Sequence, residues 1–338
     1  MHGRFSVCSL EGTAARDTRS PLSLTTRRIL LTVGSLVLGA AACGSIYVAA
    51  DPERLDLDQT ARSSAPGQFV QLSDGYTHYD LGGPPNGRMV VLVAGISVPY
   101  YIWDPTFAAL AEAGFRVLRY DYYGRGYSDR PDIAYTQDLY VRQLGELLDK
   151  LRLVEPVNLV GLSFGGSVVT SFADRHADRV RSLVFIDPSF RSPYTISTIE
   201  QVPLLWDFLT AIFEERWWAD AQLDDFFHPE HFPDWPDRYR VQMQYRGFRR
   251  AQRSTSVTNS NIDQGPELKH VGEHSRPVLV LWGKEDNAVP IEFSASLLEA
   301  MPRARLVPVE AAGHLPQWER PDVVNPTLIG FLRQSAGN

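Results

Sequence analysis

The hydrophobic and polar positions of this chain fall into two regimes joined by a polar stretch. The first is a continuous apolar run, Ile29 to Ala50, with no charged residue in 22 positions. A helix needs about 20 such residues to cross a bilayer. The second regime begins near Phe69. Phe69-Val70-Gln71-Leu72 and Tyr76-Thr77-His78-Tyr79, separated by Ser73-Asp74-Gly75, predict a hairpin. Short apolar runs then recur between helical patterns: Met89–Val93, Phe115–Tyr120, Val157–Val160, Leu183–Ile186, Pro277–Trp282 and Ala304–Val309. Asp104-Pro105 predicts an N-cap followed by proline at the first helical position. Leu144, Leu147, Leu148 and Leu151 share one helical face. Strands separated by helices imply a mainly parallel sheet covered on both sides.

The alternation lapses between about residues 190 and 276, where helical patterns continue without a convincing strand. Val202, Leu205, Trp206, Leu209, Ile212, Phe213 and Trp217 recur there at helical spacing. They predict a local core, with an acyl-chain wall or a membrane-facing patch as the functional alternative. Arg238, Arg240, Arg246, Arg249, Arg250 and Arg253 make the next stretch basic. A solvated face is the favoured reading over a site for an anionic group.

Candidate chemistry sits at predicted strand ends. Gly161-Leu162-Ser163-Phe164-Gly165 fits the Gly-x-Ser-x-Gly elbow, in which a serine stands on a sharp turn between strand and helix. A serine hydroxyl is a weak nucleophile until a base takes its proton, and that base needs a third group to hold its tautomer. Asp286, in Gly283-Lys284-Glu285-Asp286 just past a strand, is the candidate acid; Glu285 and Asp187 are the alternatives. His314, in Ala312-Gly313-His314-Leu315-Pro316 after the last strand, is the candidate base. The remaining histidines, His2, His78, His176, His228, His231, His270 and His274, lack that context and read as surface or structural. His270 and His274 lack the cysteine or glutamate partners of a zinc pattern, so no metal is expected. Gly124-Arg125-Gly126 lacks the third glycine and helix start of a dinucleotide loop. It reads as a turn, and no cofactor is expected.

These motifs, in this order, resemble the α/β-hydrolase superfamily from about Phe69 to the C-terminus. Trp282-Gly283-Lys284-Glu285-Asp286, Gly313-His314 and Asp121 to Pro131 carry the resemblance beside the elbow. It implies an α/β-hydrolase fold with a helical cap inserted at about 190–276. It implies that Ser163 attacks, His314 shuttles the proton and Asp286 orients the imidazole. It also implies an oxyanion hole made by the backbone N–H groups of Phe164 and Ile96. Relatives usually carry His-Gly in that loop, where this chain has Ala94-Gly95. A backbone donor survives the change, but the bracing imidazole is lost.

At 338 residues the chain can hold one catalytic domain with an insertion. Its net charge of −7 disfavours a general nucleic-acid role. Its two cysteines, Cys8 in the leader and Cys43 in the apolar run, cannot build a disulfide framework. Arg27 and Arg28 precede the run and Asp51, Glu53, Asp56 and Asp58 follow it, which predicts a cytoplasmic N-terminus and an extracytoplasmic catalytic domain. The expected organisation is a leader (1–28), a membrane anchor or signal (29–50), a polar tether (51–67) and the catalytic domain (68–338). A cleaved signal, or a lipoprotein signal at Ala41-Ala42-Cys43-Gly44, competes with the retained anchor.

The expected function is serine hydrolysis of a small-molecule carboxylic ester, apolar or lipid-like. Gly313-His314-Leu315-Pro316-Gln317-Trp318-Glu319 is also similar to the histidine segment of the meta-cleavage hydrolases, which break a carbon–carbon bond. That is the alternative activity. A non-catalytic binding member of the fold is the third reading.

Overall fold

A computed structural model of the chain describes residues 23–191 and 196–335, the side chains of 214–216 excepted. The leader through residue 22, with His2 and Cys8, lies outside the described residues. The chain divides after Ala49 into two compact units.

The first unit is built on helix α1, Leu24–Ala50, of 27 residues and mean hydropathy 2.1, with no buried residue. At about 1.5 Å per residue it reaches ~40 Å, beyond the ~30 Å of a bilayer's hydrocarbon core.

The second unit is organised by a sheet of eight strands. These are β1 (Gln68–Gln71), β2 (Tyr76–Gly82), β3 (Met89–Val93), β4 (Arg116–Tyr120), β5 (Val157–Leu162), β6 (Val180–Ile186), β7 (Val278–Gly283) and β8 (Arg305–Val309). Their order is β1-β2-β4-β3-β5-β6-β7-β8. The predicted hairpin is present, with Phe69 opposite His78, and β2 runs antiparallel to β4. Every other pairing is parallel. Helices α2 (Gln59–Ser64), α3 (Asp104–Glu112), α4 (Gln137–Lys150) and α5 (Phe164–Arg175) precede β6. Between β6 and β7 lie α6 (Pro203–Leu209), α7 (Glu215–Ala221), α8 (Trp235–Met243), α9 (Phe248–Asn259) and α10 (Gly265–Glu273). α11 (Ser294–Ala300), α12 (Pro316–Glu319) and α13 (Pro321–Gln334) follow β7.

Successive side chains of a strand point to opposite faces, so each central strand feeds two cores. Val91, Leu159, Phe185 and Val280 pack on one side of the sheet with α4 and α5. Val90, Leu92, Val160, Val184 and Leu281 pack on the other with α13. β5 and β7 are buried at every position, which is why they read as unbroken apolar runs. Leu144, Leu147 and Leu148 of α4 are fully buried, and each contributes about 1.5–3 kcal/mol of transfer free energy. Asp104 does not cap α3 as its sequence context suggests. It is the helix's first residue, and its carboxylate accepts from Arg119 and Arg238 instead.

Two stretches differ from their sequence reading. The polar stretch after α1 packs against the segment between β6 and β7. Glu53 accepts from the N–H groups of Gly247 and Arg249, each at 2.6 Å, and Leu55 pairs with Tyr245. Asp58 then caps α2 by accepting from Ala61 N–H. Composition reports that such residues are polar, not that their charges have distant partners. The aromatic stripe is the second difference. Val202, Leu205, Phe213 and Trp217 are exposed, so the stripe is not the segment's core. That core is Phe226, Trp235, Tyr239, Met243 and Phe248. Of the arginines that follow, Arg240, Arg246 and Arg250 are solvent-accessible, as a solvated face would be, but ion-paired, and Arg249 is buried. Arg240 pairs with Asp220 and Asp237, Arg246 with Asp56, Arg249 with Asp51 and Arg250 with Asp132.

Candidate active site

Ser163 lies between the end of β5 and the start of α5 with φ 52° and ψ −122°, a conformation that a non-glycine residue adopts at a cost of about 1–3 kcal/mol. The glycines around it make the turn possible. A Cβ at Gly161 would stand 2.5 Å from the carbonyl oxygen of Gly165, and one at Gly165 would overlap the carbonyl oxygen of Val93. Hydrogen bonds fix the strained residue: Ser163 N–H donates to Ile186 O, and its carbonyl accepts from Gly166 and Ser189.

The parallel register delivers the other groups to the same edge. Asp286 follows β7 and His314 follows β8. His314 Nδ1 and Asp286 Oδ2 are 2.8 Å apart, and both side chains are buried. The second oxygen of Asp286 accepts from Ala288 and Val289 N–H at 2.8 Å. Burial alone would lower the His314 pKa, but the hydrogen bond and charge of Asp286, with Asp225 beyond, outweigh it and raise the value. The alternative acids occupy other posts. Glu285 accepts from Ala312 N–H and ties down the histidine loop. Asp187 stands near Asp286: one oxygen of each carboxyl and one ring nitrogen of His314 lie within 4.8 Å of one another. One oxygen of Asp187 accepts from Gly283 N–H at 2.8 Å. The other receives no donor among the described residues and lies beside Asp286, to which it can donate only when protonated. Burial, then the Asp286 charge, push the Asp187 carboxyl well above the usual range. Two adjacent buried carboxyls cannot both ionise. Asp187 has the fewer donors of the two, one N–H against two, and is the one whose carboxyl holds a proton.

Ser163 and His314 open on one cavity of about 540 Å³, within the range of small-molecule sites. Gly95, Ile96 and Phe164 line it beside the serine. Phe164 is the first residue of α5, so its N–H has no carbonyl one turn earlier to bond. The loop carrying Ile96 is braced without the imidazole that Ala94 replaces. Arg125 Nε donates to Ile96 O at 2.6 Å, and Gln242 Nε2 donates to Ser97 O at 3.0 Å. Gln242 also accepts from Gly126 N–H, closing a small network among loop, turn and α8. Trp206 and Trp217 supply aromatic wall, and the Trp206 indole N–H is buried there without a partner among the described residues. Asp225 lines the cavity near His314. Burial pushes its carboxyl up to about 6, against the pull of His314 and with the help of Asp286.

Arg125, Asp225 and the paired role of Asp187 were not legible in the chain. Only the Gly-Arg-Gly turn marked Arg125, and it suits any tight turn. Of the histidines set aside, His78 is buried on Asp121 at 2.7 Å, and His270 is bonded to Asp174. In the Gln317-Trp318-Glu319 stretch, Trp318 and Glu319 make structural contacts, while Gln317 is buried with neither side-chain polar atom partnered among the described residues. Glu319 accepts from Gly313, Phe227 and His228 N–H, and Trp318 donates to Ile102 O.

With this geometry in place, comparison with known proteins is direct. The model of the alpha/beta hydrolase family matches residues 90–327. The chain belongs to the alpha/beta hydrolase family and is a hydrolase of that type. It is 28% identical over 293 residues to a 2-hydroxy-6-oxononadienedioate/2-hydroxy-6-oxononatrienedioate hydrolase of Dechloromonas aromatica, covering 81% of this chain and 98% of that protein. The solved enol-lactonase of Burkholderia xenovorans LB400 superposes with a TM-score of 0.67 at 27% identity, covering 79% of this chain and all of that one. A membrane phospholipase A shares the fold at 21% identity, with a TM-score of 0.64 over 93% of this chain and 99% of that one.

Proposed function

We propose that this protein is a serine hydrolase that cleaves carboxylic esters through an acyl-enzyme. The observation that carries the reading is the strained Ser163 elbow sharing a cavity with a His314 held by Asp286 at 2.8 Å. In this reading His314 Nε2 takes the Ser163 proton as Oγ attacks the ester carbonyl. The Phe164 and Ile96 N–H groups receive the oxyanion. His314 then protonates the departing alcohol. Water, deprotonated by the same imidazole, attacks the acyl-enzyme and frees the acid. Asp286 holds the Nδ1 tautomer and stabilises the imidazolium. The helices between β6 and β7 act as a cap, and the Trp206–Trp217 wall contacts the apolar part of the ester.

The named curated relative favours a second reading, carbon–carbon bond hydrolysis, about as well. The Gly313 to Glu319 similarity adds less, because the contacts of Trp318 and Glu319 account for those two residues as bolts between the histidine loop and its neighbours. One experiment separates the readings. The purified protein is assayed on 4-nitrophenyl esters of graded chain length and on a 2-hydroxy-6-oxo-dienoate. Turnover of the esters with the dienoate untouched supports ester hydrolysis; the reverse supports the second reading.

We also propose that α1 anchors the protein in a membrane. The support is its length, its apolarity and the change from Arg27-Arg28 to acidic residues across it.

A further inference from the structure

Arg125 is a buried cation without a counter-ion among the described residues. It is 1% exposed, yet its hydrogen bonds to described residues all end on neutral oxygens. Nε donates to Ile96 O at 2.6 Å, while Nη1 reaches Gly124 O and Nη2 reaches Thr255 Oγ1, each at 3.2 Å. Those partners do not exhaust the donors of a guanidinium. A buried charge is expensive unless it is paired, and Arg249, the other arginine whose side chain is almost wholly buried in an ion pair, has Asp51 and Glu53. Arg191, also on the cavity wall, is exposed and pairs with Asp263. The carboxyls that share the cavity do not bond Arg125: Glu200 accepts from Ser197 N–H, and Asp225 lies towards His314.

The location gives the missing partner its chemistry. Arg125 lines the same cavity as Ser163 and is tied to the carbonyl of Ile96. We propose that Arg125 anchors a carboxylate on the substrate itself, so that the protein prefers acyl groups ending in a carboxylate a few atoms from the scissile carbonyl. A guanidinium offers paired donors to a planar carboxylate. A single cation matches a monoanion, whereas a phosphate monoester brings a charge of about −1.5 to −2 and would leave buried negative charge. The anion and the oxyanion loop then share one side chain, since the guanidinium that binds the carboxylate also holds Ile96. This inference rests on the serine-hydrolase reading for its kinetic test and is independent of it for its binding test.

The kinetic test compares two esters within one enzyme: 4-nitrophenyl hemiglutarate and its neutral methyl ester. The wild type should favour the hemiglutarate in kcat/KM by on the order of tenfold or more, the worth of a charge-assisted hydrogen bond. Arg125→Met should erase that ratio, and Arg125→Lys should keep part of it. Loosening of the Ile96 loop slows both esters alike and cancels in the ratio. Equal wild-type rates on the two esters, or an unchanged ratio in Arg125→Met, would overturn the proposal. The binding test uses Ser163→Ala protein and glutarate. A rise in Tm with glutarate, absent with glutaramide and absent in the Ser163→Ala, Arg125→Met protein, supports the anchor even if neither ester is turned over. No rise with glutarate, or an equal rise in both proteins, overturns it. Turnover of neither ester alongside a glutarate-specific rise would place the failure in the esterase reading alone.

Discussion

The chemistry proposed for this protein turns on which of three adjacent buried groups holds a proton. Asp286 accepts from two backbone N–H groups and bonds His314, whereas Asp187 accepts from one N–H and has an oxygen that receives no donor among the described residues. Asp187→Asn should therefore keep most activity at neutral pH, since an amide can accept from Gly283 N–H and donate to Asp286 as a protonated carboxyl does. Asp286→Asn should lose activity by about 10⁴-fold, as a wrong tautomer does elsewhere. Steady-state kinetics of the two variants decide the matter, and the reverse pattern would make Asp187 the acid. Ser163→Ala and His314→Ala should each lower kcat by roughly 10⁴-fold or more. The raised His314 pKa sets the pH dependence. A protonated imidazole cannot take the serine proton, so activity is lost as pH falls through the raised value. The kcat/KM profile should rise with an apparent pKa above the ordinary histidine value of about 6.5. The residual activity of Asp286→Asn should show a lower one, since the raising partner is gone.

Elements made of local signals were legible in the chain. Every run of strand type, from Met89–Val93 to Ala304–Val309, supplies a strand of the sheet; the clearest, β5 and β7, are buried at every position, where a parallel strand needs an apolar sequence. The elbow was legible because its glycines stand at a fixed spacing around the serine, Gly161 forced by the backbone of Gly165 and Gly165 by the carbonyl of Val93. What escaped depends on distant partners. Glu53 meets Gly247 and Arg249, 194 and 196 residues further along the chain, and no spacing rule links them. The aromatic stripe had helical period, but period alone does not say what covers the face. Its exposed members and the cavity contact of Trp206 and Trp217 motivate a prediction at this scale. If Trp206 binds acyl chain, Trp206→Gln should flatten the rise of kcat/KM with chain length while sparing acetyl esters. In the wild type each added methylene is worth up to about 0.8 kcal/mol, a factor of roughly four. Equal losses on all chain lengths would assign Trp206 to packing alone.

For the whole molecule, the anchor and the catalytic unit make separable expectations. Full-length protein should fractionate with membranes. An intact Met1 by mass spectrometry supports a retained anchor, and a lipidated Cys43 supports a lipoprotein. Full-length protein free in the cytosol would contradict both. Truncation should respect the contacts of the polar stretch. Protein beginning at Asp51 keeps the Glu53 carboxylate on two backbone N–H groups, whereas protein beginning at Ser63 leaves those donors bare. Hydrogen bonds to a charged group are worth about 1.5–3 kcal/mol each, so the shorter protein should melt several degrees lower. Equal melting temperatures would mean that the stretch contributes nothing to the fold.

Ser163 is the residue proposed to form the covalent intermediate, and active-site labelling reads this out. Wild-type protein is treated with a fluorophosphonate, digested and mapped by mass spectrometry. One stoichiometric adduct is expected, on Ser163, with loss of hydrolysis in step with labelling and no adduct in Ser163→Ala. Full labelling of another residue, or hydrolysis that persists when Ser163 is fully modified, would contradict that role.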